Sequence, residues 1–309
     1  DLLYGGDVAK WKKFGYSLML KLSMRLTKVD PATAQAWAEK AYAGGVFASI
    51  DDNAKVKCDN STGFGNNTTG ALRVGDDYRE VRWSKTFVDF LASTGDPRVG
   101  VITEIAKTGY TNNSNQDLAG DRTPAIQIGL PNGYDLNGGA TDIRSYSGYP
   151  GASPADPSIA NDKEAPVGKY SRPTTSIYLD RSGVNFILTY AETEFLLAEA
   201  KTRGWNVGGT TAAQHYKNGV VAAIASLAQF NAAAGADPAI AAAAAAAPAF
   251  VDANPLSGTV ETALEQINTQ YWVATGTLFN FIETWCNWRR SGYPELTPVV
   301  YPNGFSGGA

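Results

Sequence analysis

Histidine is almost missing from this sequence: His215 is the only one in 309 residues. A multi-histidine zinc site is therefore excluded. A Ser-His-Asp triad would hang on that one imidazole, and no G-x-S-x-G elbow accompanies it. His215 is expected as a partly exposed residue early in its helix. Cysteine is scarce too. Cys58 and Cys286 show no spacing motif, and both a cross-fold disulfide and two reduced buried thiols fit them. Charged residues make up only 18% of the chain, with a formal net charge of -4. That balance argues against a surface rich in Lys and Arg, of the kind that meets nucleic-acid phosphates or acidic lipid. No run of about 18 apolar residues occurs apart from a mild alanine tract, so no segment is expected to span a bilayer. Neither G-x-x-x-x-G-K-S/T nor G-x-G-x-x-G is present, and no phosphate-cradling loop is signalled.

What the chain does hold is aromatic surface: 7 Trp, 15 Tyr and 12 Phe, together with 32 Gly and many Asn-rich turns. Extracytoplasmic proteins that handle sugars share this mix, because flat aromatic faces stack on the apolar faces of sugar rings. A large helical core with long loops would contain it as well.

The order of textures along the chain is informative. Trp11, Phe14, Leu18, Leu22 and Leu26 recur at three- and four-residue spacing among lysines, which predicts an amphipathic helix capped by Asp7. Asp30-Pro31 caps a second helix through Ala34, Trp37 and Ala41 to Gly44-Gly45. Residues 1–45 thus read as a helical hairpin. Residues 46–182 are dominated by Gly, Asn, Asp, Ser and Pro, with one short helix around Ser84 to Leu91, and long loops of this kind often carry function. Helices return over residues 183–291. "NFILTYAETEFLLAEAKTRGW" reads as one helix ending at Gly204, and Thr211 with Gln214 forms a capping box for the next, where Tyr216, Val220, Ala223 and Leu227 share a face. The tract 232–250 reads as a linker or marginal helix that Pro248 interrupts. Leu264, Ile267 and Tyr271 mark a further helix. Leu278, Phe281, Trp285 and Trp288 form the core-facing stripe of the last one, with Arg289 and Arg290 at its C-terminal carbonyls. Residues 292–309 are a tail. The expected fold is mostly α, with helical hairpins bracketing a loop-rich region.

Carboxylate chemistry finds little support. Glu192 and Glu199 lie seven apart on one helix, about 10.5 Å of rise, beyond the roughly 6.5–9.5 Å of inverting glycosidases. Glu194 and Glu265 suit polar anchors between helices, and Asp96 with Arg98 suits a turn held by an ion pair. Asp51 and Asp52 lack the spacing of an EF-hand calcium loop and read as solvated loop acids.

Several stretches in matching order resemble one family. They are "YGGDVAKWKKFGYSLMLKLSMR", "SKTFVDFLASTGDPR", "RPTTSIYLDRSGVNFILTYAETEFLLAEAKTRGW", "HYKNGVVAAIASL", "LEQINTQYWVAT" and "FIETWCNWRRSGYPEL". Together they are similar to the SusD/RagB family of outer-membrane nutrient-binding lipoproteins. The resemblance implies a SusD-like fold in which tetratricopeptide-like hairpins support a ligand-facing, loop-rich half. It implies a non-catalytic protein that captures an oligosaccharide or polysaccharide, without cofactor or metal. Its partner would be a SusC-like TonB-dependent transporter at the cell surface. Family chains are longer and carry a lipidated N-terminal cysteine, so the resemblance places this sequence as the C-terminal portion of a single SusD-like domain, without the anchor.

Ligand residues vary within that family, so only regions carry over. The candidates are aromatics outside helical stripes, Tyr78, Trp83, Tyr134, Tyr146 and Tyr149. Arg82, Arg122, Arg144, Asn132 and Asp135 are candidates for bonding sugar hydroxyls, in the usual design of aromatic faces with a few polar groups. A peptide-binding member of the family, a protein-interaction scaffold and a glycosidase are the competing readings.

Overall fold

The computed structural model describes residues 1–72, 81–106, 119–152 and 166–299. The chain divides into two compact units, one joining Asp1–Cys58 to Val184–Leu296 and the other joining Asp59–Gly183 to Thr297–Ala309. The main elements in chain order begin with α1 (Val8–Met24), α2 (Pro31–Gly44), β1 (Ala54–Lys57), α3 (Lys85–Thr94), β2 (Thr103–Glu104) and β3 (Arg172–Pro173). They continue with β4 (Val184–Leu188), α4 (Tyr190–Thr202), α5 (Ala212–Ser226), α6 (Pro238–Ala253), α7 (Val260–Thr277) and α8 (Phe281–Ser291). The described residues are mostly helical. Their two sheets have two strands each, β1 antiparallel to β4 and β2 antiparallel to β3.

In the first unit, successive helices pack as neighbours: α1 on α2, α4 on α5, and α7 on α8, with α6 against α5 and α7 against α4. Local sequence sets their ends. The Asp7 carboxylate accepts from the N–H groups of Ala9 and Lys10, and Asp30 accepts from Thr33 ahead of Pro31. Thr189 and Glu192 form a reciprocal capping box on α4, each such cap being worth about 1 kcal/mol. That cap corrects one expectation: the segment from Asn185 is not a single helix, because β4 first pairs with β1 and Thr189 then starts α4. The alanine tract differs as well. After a short separate turn of helix at Ala232–Gly235, Asp237 caps a helix that starts at Pro238 and runs unbroken through Pro248, anchored by buried Ile240, Ala243, Ala247, Phe250 and Val251. Thr211 caps α5 through the Gln214 N–H, but the Gln214 side chain bonds Asn218 instead of closing a box.

The largest departures concern which helix faces are buried. On α1 the apolar residues Trp11, Leu18 and Leu22 are exposed, while Ser17, Leu20, Lys21, Ser23 and Met24 are buried. On α8, Ile282 is 79% exposed and Trp285 60%, with Phe281 about half exposed, while Glu283, Asn287 and Arg290 face inward. The physical reason is a pair of buried polar networks. The Lys21 ammonium lies 2.8 Å from carboxylate oxygens of both Glu192 and Glu283, and Arg25 donates to Glu283 at 2.6 Å. The Tyr271 hydroxyl stands 3.0 Å from Glu192 and 2.9 Å from Glu283, so its one hydrogen is shared between them. A second network pairs Arg290 with both oxygens of Glu199 at 2.8 and 2.7 Å, and Arg203, Asn268 and Asn287 complete it. Four helices, α1, α4, α7 and α8, are thereby joined through charges that are largely buried. An unpaired charge in such a place costs several kcal/mol, so the helix faces that carry these groups must turn inward. Trp285 stays outside with Arg289 lying 5.7 Å over its ring.

His215 is also buried, its Nδ1 2.8 Å from Glu194. Glu194 thus anchors α4 to α5, while Glu265 is exposed. Both cysteines are free thiols. The Asp52 carboxylate is taken by Lys13 and by the N–H groups of Ala48 and Ser49.

The second unit is held by short strands and by buried ion pairs. Asp96 bonds both the backbone and the guanidinium of Arg98, and Arg172 on β3 pairs with Glu104 on β2, all four side chains being enclosed. Ser84 caps α3, whose buried Phe87, Val88 and Leu91 face the interior. Trp83 belongs to this interior rather than to a ligand surface. Its ring stacks on Phe87 at 5.1 Å and meets Tyr178 edge-on at 6.0 Å, while Nε1 donates to the Ile102 carbonyl at 2.9 Å. The segment Ile128–Leu130 is stitched to both sides: Leu130 N–H donates to Trp83, Lys85 N–H to Leu130, and Ser171 N–H to Ile128. A side chain at Gly129 would come within 2.5 Å of the Lys85 Cα, so this close approach requires glycine.

Burial by itself would push the Glu199 carboxyl up; Arg290 and then Arg203 outweigh it and hold the group at about 2, against an ordinary 4.5. The folded value lies below the unfolded one, so the stabilisation is fully present above about pH 4.5 and is lost as pH falls towards 2. The Glu199→Gln variant should show a smaller loss of denaturation midpoint over that window than the parent. Arg290→Leu should cost about 3 kcal/mol or more by leaving Glu199 short of its main partner, and Glu199→Leu added to it should recover part of the loss. Parent-like melting of Arg290→Leu would sink the network's assigned role. Trp83→Ala should cost about 3–5 kcal/mol in chemical denaturation, and a change below about 1 kcal/mol would contradict its interior placement.

Candidate ligand-binding cleft

Residues 130–149 build their own scaffold before any side chain meets a ligand. Asp135 N–H donates to the Thr141 carbonyl at 2.8 Å, and Ile143 N–H returns to the Asp135 carbonyl at 2.9 Å. Between them Gly138 and Gly139 take φ of 84° and 76°, values that favour glycine. Asp142 is the hub of the loop. Its carboxylate accepts from the Gly138 N–H at 2.9 Å and from the Arg144 N–H and Nε at 2.8 and 2.7 Å. The Arg144 guanidinium, with those backbone donors, holds the Asp142 carboxyl well below the usual carboxylate range despite the opposing effect of burial. The chain then turns twice, Tyr146 N–H donating to Ile143 and Tyr149 N–H to Tyr146.

This path delivers a cluster of tyrosines around a small apolar centre. Ile143, Val167 and Tyr170 are buried together, and Leu130, Tyr134, Leu136, Tyr146 and Tyr149 pack on them half-buried. Tyr134 and Tyr146 meet edge-on at 5.4 Å, and Tyr149 lies tilted against Tyr170 at 6.5 Å. In front of them opens a cleft of about 410 Å³, lined by Leu130, Tyr134, Asp135, Leu136, Asn137, Ile143 and Val167. The hydroxyls of Tyr149 and Tyr170 are buried without a hydrogen-bond partner, a state that costs about 1–3 kcal/mol for each group. Burial pushes the Tyr170 hydroxyl up to about 12, with Tyr149, Tyr146 and Tyr134 adding to the shift. Flat rings, an apolar wall and a few amide and carboxyl groups can hold a neutral polyhydroxylated ligand.

Of the residues expected from the sequence, the structure brings Tyr134, Asp135, Tyr146 and Tyr149 together here. Arg144 sits on the same loop, forked onto Asp142. Asn132 is exposed in the preceding turn and does not line the cleft. Arg82 donates to the carbonyls of Val167 and Val81, and Arg122 to those of Gly100 and Val101, so both guanidinium groups fasten backbone. Trp83 is interior, as described above, and Tyr78 lies outside the described residues. Tyr170, Ile143 and Val167 were not foreseen. No periodicity marks them, since they come from irregular loops.

Among the described residues no helix is long and apolar enough to cross a membrane, and no group of three or more His, Cys, Asp or Glu side chains is placed to hold a metal. No curated protein sequence matches the chain. Among solved structures, one described as a chitin-binding protein is 30% identical, with a TM-score of 0.70 over 100% of this chain and 58% of its own. A Bacteroidetes SusD-like protein is 23% identical, with a TM-score of 0.72 over 98% of this chain and 63% of its own. A chitin-binding SusD homologue from Flavobacterium johnsoniae is 24% identical, with a TM-score of 0.62 over 98% of this chain and 56% of its own. The chain therefore spans about 60% of the length of such relatives. Residues 1–305 match the family described as starch-binding and associating with the outer membrane. With that match over nearly its full length, the chain belongs to the SusD-like family.

Proposed function

We propose that this protein captures an oligosaccharide at the bacterial cell surface and passes it, unaltered, to a SusC-like TonB-dependent transporter in the outer membrane. The observation that carries the reading is the cleft of the second unit, where Tyr134 presents ring surface beside Asp135 and Asn137, with Tyr146 packed edge-on against Tyr134 on the same apolar centre. Family membership supports the glycan class and the outer-membrane setting. Attachment there would be through a lipidated N-terminus of the longer protein. Chitin oligosaccharides are the first ligands to test, because the relative at 30% identity is described as chitin-binding. Binding without turnover is favoured by the fate of the acidic residues: Glu192 and Glu199 are enclosed and tied to cations, which leaves them unfit to protonate or attack a glycosidic bond.

Calorimetric titration against chitin, starch, xylan, mannan and fructan oligosaccharides, with product analysis of each mixture, tests this. Saturable binding of at least one oligosaccharide without cleavage is the expected result. Tyr134→Ala and Tyr146→Ala should each weaken it by about tenfold, the scale of one lost aromatic contact. Release of new reducing ends would refute capture without turnover, and binding of oligopeptides alone would shift the ligand to peptides.

A further inference from the structure

Tyr149 and Tyr170 carry hydroxyls that are shut off from solvent and make no hydrogen bond within the chain. Buried polar atoms without a partner are uncommon in folded proteins, because the group loses its water and gains nothing in return. Phenylalanine would fill nearly the same space without that penalty. A hydroxyl kept at such a position calls for a partner from outside the chain.

The surroundings indicate which partner. Tyr170 packs against Ile143 and Val167, and those two side chains also line the cleft. It therefore stands directly behind the cleft wall, with only 1% of its surface exposed. Tyr149 lies against it at 6.5 Å between ring centroids and is itself only half-buried. Tyr134 and Tyr146 stand on the same apolar centre, so four phenols gather around it. Resting on the capture reading above, we propose that the Tyr149 and Tyr170 hydroxyls determine specificity by hydrogen-bonding an oxygen of the sugar seated against this wall. They are reached when the Tyr149 ring turns aside and the Ile143–Val167 wall in front of Tyr170 yields as the ligand enters.

Tyr149 is the side chain suited to move. It follows a turn closed by its own N–H on the Tyr146 carbonyl, and rotamer changes of this size are common on binding. Tyr170 is enclosed and stays in place. A phenol both donates and accepts, so the pair matches a hydroxyl or an amide carbonyl on the ligand. A ligand of similar shape that lacks such a group leaves both phenols unpaired, which is the arrangement that discriminates most strongly.

Tyr149→Phe and Tyr170→Phe test this against the parent chain, using the tightest-binding oligosaccharide of the panel, with near-ultraviolet circular dichroism as a check of folding. Each variant should melt at the parent temperature or higher, and each should bind about 5–10-fold more weakly. Parent-like affinity in both variants overturns the proposal. A lower melting temperature overturns it too, because the hydroxyls would then already be satisfied in the free protein, by a trapped water for instance. If the parent itself binds no oligosaccharide, the capture reading falls, and that result is read from the parent titration alone.

Discussion

Two carboxylates and the cations they hold decide how the helical unit is put together. Glu199 is enclosed and receives both Arg290 and Arg203, while Glu192 shares Lys21 with Glu283. These groups belong to α1, α4 and α8, with Tyr271 and Asn268 of α7 bonded to them. Glu192, Glu199 and Arg290 cannot be exposed without rotating a helix, and none of them can be left unpaired without a large penalty. Buried ion pairs are a poor source of net stability, since apolar residues of the same volume often do as well. Their effect here is to fix rotation. Helix α8 must turn Glu283, Asn287 and Arg290 inward, and this leaves Ile282 and Trp285 on the surface.

The loop-rich unit solves a different problem by related means. It has little regular structure to satisfy its backbone, so arginines do part of that work: Arg82 and Arg122 bond carbonyls, while Arg98 and Arg172 close buried ion pairs. Around this frame, the loop governed by Asp142 can afford to hold tyrosines at an open cleft. Among the described residues, the guanidinium groups of Arg82, Arg98, Arg122, Arg144 and Arg172 are engaged within the chain, while the Tyr134 ring borders the cleft.

Much of the helical architecture was legible in the sequence, because caps are local. Asp7 and Asp30 each start the helix expected of them, and the short helix expected around Ser84 to Leu91 is present as Lys85–Thr94. Facing was less legible. Much of the apolar stripes of α1 and α8 (Trp11, Leu18, Leu22, Phe281 and Trp285) lies at the surface because Glu192 and Glu199, distant in sequence, claim the opposite faces, while Phe14 and Leu278 pack inward as expected. The loop tyrosines 134, 146 and 149 could be singled out as aromatics with no helical stripe to join. Trp83 met the same criterion and is nonetheless core, because its indole N–H finds the Ile102 carbonyl only once the fold has formed. Tyr170 could not be found in that way, since nothing in its neighbourhood in the chain reveals that it will stand behind a cleft.

The most direct test of the account is a crystal structure of the chain soaked with a bound oligosaccharide. Capture by the tyrosine cleft predicts a sugar ring against Tyr134 and Tyr146, with the Tyr149 side chain displaced from its present position. A sugar resting instead on the exposed rings of Trp285 or Trp37, with the cleft unoccupied, would contradict it.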